Sequence, residues 1–140
     1  MKKGILMTVL VCAVIFGCSG GGGGEGGGGA AVTSSNPTLS AVILAPNPAQ
    51  HGDMQNFSAV LTFTDPEGDL DGGSVKFTYD GVTYSAVLGA GFAGIKNGIV
   101  GLGIGSATLN GTIGPVTIPF WITDRAGHSS NILHVTLIQT

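Results

Sequence analysis

The sequence predicts an all-β protein, a single antiparallel sandwich of about seven short strands. Apolar and polar residues alternate along the C-terminal three quarters of the chain, and helical periodicity is missing there. Turn pairs punctuate these stretches at Asp80-Gly81, Asn97-Gly98 and Asn110-Gly111. Many short strands at such close spacing favour a sandwich over a sheet alternating with helices.

The elements before the first strand carry an address. Lys2 and Lys3 form a basic start, and residues 5–16 are apolar apart from Thr8. As a helix, residues 4–17 would span about 21 Å at ~1.5 Å per residue. A bilayer core is roughly 30 Å thick, so the segment suits a secretion leader better than a membrane span. The run Ile15-Phe16-Gly17-Cys18 closes it and resembles the lipobox of bacterial lipoprotein precursors. That resemblance covers residues 1–18. It implies a lipoprotein signal peptide over 1–17, cleavage between Gly17 and Cys18, thioether lipidation of Cys18, and acylation of the new N-terminus, as by palmitate. The plainer alternative is an ordinary signal peptide followed by an incidental cysteine.

Cys12 would leave with the leader, so the mature chain keeps Cys18 alone and can form no internal disulfide. Two or more acyl chains hold a protein stably on a membrane, where one gives only marginal binding. The membrane is thus the expected partner, reached through Cys18. Residues 18–35 read as a flexible tether: nine glycines follow Ser19, broken only by Glu25. Glycine supplies nothing to bury and carries a high ordering entropy. As a coil this stretch would span ~20–25 Å. A phosphate-cradling loop is disfavoured, since no strand precedes the glycines and no helix or Lys-Ser/Thr pair follows. Ser19 after the cysteine resembles the sorting context of outer-membrane lipoproteins, which implies a bacterial cell-envelope location.

Residues 36–140 are enough for one self-supporting core. A first strand is expected over 39–45, ended by Pro46 and Pro48. The second places Phe57, Ala59, Leu61 and Phe63 on one face, and the third does so with Val75, Phe77 and Tyr79. Asp80-Gly81 turns the chain back through Val82, Tyr84, Ala86 and Leu88. Further strands are expected over 98–109, 116–123 and 131–138. Gly101, Gly103 and Gly105 weaken the first of these and suit a sheet edge. Pro119 removes a ladder donor from the next one, which calls for a bulge between Ile118 and Phe120. Trp121 is out of phase there, so it is either buried by that bulge or exposed as a contact surface.

Two runs, Phe63-Thr64-Asp65-Pro66-Glu67-Gly68-Asp69-Leu70 and Trp121-Ile122-Thr123-Asp124-Arg125-Ala126-Gly127-His128-Ser129-Ser130, resemble bacterial immunoglobulin-like domains. The resemblance covers about residues 38–139 and implies an immunoglobulin-like β-sandwich without the Cys, Trp and Cys pattern of antibody domains.

Asp65, Glu67, Asp69 and Asp71 crowd one short loop and repel one another unless solvent, salt or a cation intervenes. Calcium takes six to eight oxygen ligands, and alternate acidic residues can aim oxygens inward. The sandwich topology brings Asp124, in the last loop, to the same end. Cadherin-like bacterial domains are similar in their Asp-rich calcium loops. Calcium held by these five residues is therefore one expectation, and a solvated turn in which Asp65 caps local amides is the other. The EF-hand spacing is absent.

Enzymatic readings find little. The carboxylates share one loop instead of facing across a cleft, no serine sits in a nucleophile elbow, and His51, His128 and His134 match no metal spacing. His134 is expected to face solvent. The net charge of −3, with Lys76, Lys96 and Arg125 as the only cations past the leader, leaves no basic patch for nucleic acid. The expected function is therefore a lipid-anchored, non-catalytic binding or structural module whose partner is an envelope protein or glycan. A small envelope carbohydrate-binding or hydrolytic domain is the alternative.

Overall fold

A computed structural model describes residues 36–109 and 113–140. Seven strands follow in order: β1 (Thr38–Ala45), β2 (Met54–Thr64), β3 (Ser74–Tyr79), β4 (Val82–Val87), β5 (Asn97–Thr108), β6 (Gly114–Thr123) and β7 (Leu133–Gln139). One 3-10 turn, Ala90–Phe92, lies between β4 and β5. The strands form two antiparallel sheets, β1-β2-β5 and β4-β3-β6-β7. This is the expected immunoglobulin-like sandwich, with the glycine-bearing β5 at a sheet edge. Residues 1–17, the tether with Cys18, and the Asn110-Gly111 turn lie outside the described residues.

Alternation drives the layering. Phe57, Ala59, Leu61 and Phe63 of β2 face Val75 and Phe77 of β3 and Ile118, Phe120 and Ile122 of β6 across the core. Phe77 stacks on Phe120 at 5.3 Å and on Tyr84 at 5.0 Å between ring centroids. Each fully buried large apolar side chain contributes about 1.5–3 kcal/mol, so this aromatic row dominates the cohesion of the sheets.

Two irregularities keep the pattern facing inward. Register slips between Leu39 and Ala41, which moves the buried set of β1 from Leu39 to Leu44, with Val42 half-buried. In β5 the slip falls at Ile104, between Gly103 and Gly105, and Gly105 takes φ +92°. Beyond it the inward set passes from Val100, Leu102 and Ile104 to Ala107 and Leu109. An extra residue in a strand reverses every later side chain, and a left-handed glycine tolerates it at least cost.

Pro119 corrects the expectation of a bulge in β6. Register with β7 runs unbroken from Gly114↔Gln139 to Phe120↔Leu133. The ladder to β3 spans only Phe120 to Thr123, so Pro119 lies where β6 has one strand partner and not two. Trp121 therefore points outward, half-buried, opposite Lys76 of β3.

The strand expected from residue 131 begins instead at Leu133, because Asn131 has another task. Its side-chain amide accepts from the Leu39 N–H at 2.8 Å and donates to the Leu39 carbonyl at 3.0 Å. Asn47 repeats the device at the far end, donating to the Thr136 carbonyl and accepting from the Ile138 N–H. An Ala49↔Gln139 bridge adds to it. Two side-chain amides thus act as peptide groups and stitch the β1 edge to the β7 edge.

Candidate functional site

Three loops meet at the end of the sandwich where the chain enters. The β2–β3 loop carries Asp65, Glu67, Asp69 and Asp71, and the β6–β7 loop carries Asp124, as the topology predicts. The third is the β4–β5 loop, anchored by buried Phe92 against Phe63. Gly94 donates to the Gly68 carbonyl at 2.7 Å, and Asp69 bridges to Ala93. Gly68 has φ +71°, and a Cβ there would lie 2.9 Å from the Gly94 carbonyl carbon. At Gly73 a Cβ would fall 2.2 Å from the Thr123 carbonyl oxygen, so the close approach of this part of the β2–β3 loop to the end of β6 needs glycine there.

Each acidic residue has its own surroundings. Asp65 is fully buried; its Oδ2 accepts from the Asp69 N–H at 2.8 Å, while its Oδ1 has no hydrogen-bond partner. Burial pushes the Asp65 carboxyl above the ordinary carboxylate range, with the charges of Asp69 and Asp124 adding to the rise and the Asp69 amide opposing it. Asp69 Oδ1 is likewise buried without a partner. Its carbonyl accepts from the Arg125 N–H at 3.1 Å. Asp71 pairs with the Arg125 guanidinium at 2.9 Å, an exposed contact of small energetic weight. Asp124 is buried and turned into its own loop: Oδ1 accepts from the His128 N–H at 2.8 Å and Oδ2 lies 3.0 Å from His128 Nδ1. Glu67 is exposed.

The five predicted calcium ligands are thus neighbours at one end and do not converge as one cage. Among the described residues, no three His, Cys, Asp or Glu side chains gather in an arrangement that could hold a metal ion. The local turn chemistry expected of Asp65 is present, and Asp124 does the same work in the last loop. Sequence patterning gave no sign of the β4–β5 loop's part. Only the pairing of glycines at 68, 72, 73 and 94 with the acidic run hinted at close backbone approach.

Two other regions lie away from this end. Trp121 and Lys76 stand side by side on the outer face of the four-stranded sheet, with exposed His134 on β7. At the end opposite the acidic loops, Leu44, Phe57, Tyr79, Ile104, Leu109 and Leu137 are among the residues lining an apolar cavity of about 40 Å³. Ligand pockets commonly reach ~300–1,000 Å³, so this void has no room for an organic molecule. No helix among the described residues is long and apolar enough to cross a membrane.

The comparisons with known proteins agree with this architecture. No protein-family model matches the chain, and no curated protein matches it. Among solved structures it is similar to the PKD domain of an M14-like peptidase from Thermoplasmatales archaeon SCGC AB-540-F20, at 16% identity and a TM-score of 0.50. The match covers 76% of this chain and 98% of that domain. At this identity the likeness shows the fold, which is that of an immunoglobulin-like sandwich module.

Proposed function

We propose that this chain is a lipid-anchored protein of the bacterial cell envelope, held at the outer membrane, whose immunoglobulin-like domain binds or supports an envelope partner without catalysis. One observation carries the reading: Cys18 closes a basic-then-apolar leader and stands directly before a glycine tether. The similarity to a PKD domain and the scattered placement of titratable groups support the non-catalytic part. The test is metabolic labelling with a palmitate analogue. Label should enter the full chain and be lost in Cys18→Ala; label that persists in the variant contradicts the anchor. Outward-facing Trp121 beside Lys76 favours a second reading, a small carbohydrate-binding or hydrolytic domain. Saturable binding or turnover of envelope glycans by the purified protein would establish that reading in place of the first.

Calcium at the acidic end is a further reading of the same module. It is favoured by Asp65 Oδ1 and Asp69 Oδ1, two buried carboxylate oxygens without partners, which backbone carbonyls would have to supplement. A ligand selective for the native state raises its stability. Millimolar calcium should therefore raise the thermal midpoint relative to chelator in the wild type and not in Asp69→Asn. Equal midpoints in the wild type remove the proposal.

A further inference from the structure

We propose that the open edge of β5 pairs antiparallel with the same edge of a second copy, forming a two-fold dimer with one continuous six-stranded sheet. β5 is the longest strand, twelve residues, and β2 is its one hydrogen-bonded neighbour among the described strands. Its other edge presents a row of backbone donors and acceptors, the usual template for strand addition. Proteins blunt such edges with charges, proline, shortness or bulges. The other edges of this sandwich are protected: β1 and β7 are stitched to each other through Asn131 and Asn47, and β4 has six residues. β5 carries no charge and no proline, and the same holds for β1 and β2 beside it. Its one protective device is the slip at Ile104, which leaves residues 97–103 regular.

Side-chain phase selects the register. Over this stretch Val100 and Leu102 face the core, and Ile99, Gly101 and Gly103 face outward. Antiparallel partners share a face, so a two-fold axis at Val100 keeps core residues with core residues. It also sets Ile99, 38% exposed, opposite Gly101 of the partner subunit, which has no side chain of its own to oppose it. Charge selects the direction. The acidic loop lies at the Asn97 end of β5, where the Asp65 N–H donates to the Lys96 carbonyl. With the axis at Val100, antiparallel pairing sets the two acidic ends on opposite sides of it, about 20 Å apart, whereas parallel pairing would stack them against each other. Self-pairing of this kind closes at two copies. The paired stretch is about 23 Å long, smaller than a standard interface, so the dimer is weak and reversible.

Sedimentation velocity of the purified full chain in mild detergent, from about 1 µM to about 0.5 mM, tests this. A concentration-dependent monomer–dimer equilibrium is expected. Ile99→Lys and Gly101→Lys should each weaken it about tenfold or more, while Val60→Lys, on the outer face of central β2, should leave it within about twofold. Amide exchange read without any variant gives an independent check: protection over 97–103 should rise with protein concentration and protection over β4 should not. A monomer at every concentration, assemblies beyond the dimer, β5 protection independent of concentration, or an equal effect of Val60→Lys would each overturn the proposal.

Discussion

At the scale of the residue, Asp65 shows how one buried carboxyl couples the loop end to pH. Its native-state pKa is raised above the ordinary 3.8, so between the two values the native state binds more protons than the unfolded chain. Protonation of this group thus favours folding as pH falls through the raised value, and the benefit is lost as pH rises through it. Ionising this group places a negative charge in a buried site where one of its oxygens has no partner. Asp65→Asn removes the charge and keeps an acceptor for the Asp69 amide. In chelator at pH 7 this variant should melt a few degrees above the wild type. The difference should shrink as the pH is lowered toward 3.8, and a difference that stays constant across that range contradicts the assignment.

Among elements, the three-loop end depends on close backbone approach. Gly73→Ala places a methyl 2.2 Å from the Thr123 carbonyl oxygen, and backbone on both sides must give way. The expected loss is about 2–3 kcal/mol, read as a lower midpoint in chemical denaturation with an unchanged slope. Gly81→Ala meets nothing within 4 Å and serves as the matched control, carrying only the strain of its φ of +73°. Such contacts join residues far apart in sequence, and local pattern does not encode them. Strand identity was legible because Phe57 to Phe63 and Val75 to Phe77 alternate cleanly, and the Asp80-Gly81 hairpin was legible from its turn pair. Proximity of Asp124 to the acidic loop followed from topology. Pairing ladders are not legible in a sequence, so it shows neither that Pro119 lies where β6 has one strand partner nor which face Trp121 takes. Asn131 and Asn47 were invisible as edge staples because their partners lie about ninety residues away, at Leu39, Thr136 and Ile138. Neither did any local signal show that Asp71 would be drawn to Arg125, which disperses the acidic group.

For the whole molecule, the sandwich and its proposed anchor divide the labour. Core, staples and loop contacts all lie within residues 36–140, and Thr38 enters β1 opposite Thr64, one residue before Asp65. The acidic end is therefore the end at which residue 36 enters the domain, and in the proposed anchored form its charge would keep that end hydrated and off an anionic lipid surface. Attachment in this account rests on Cys18 alone and owes nothing to the domain. The most direct measurement is fractionation of cells expressing the wild type and Cys18→Ala, with a thermal melt of each purified protein. The account predicts wild type in the membrane fraction, released by detergent, and Cys18→Ala in the soluble fraction with the same melting midpoint. A Cys18→Ala protein that still sediments with membranes would contradict it.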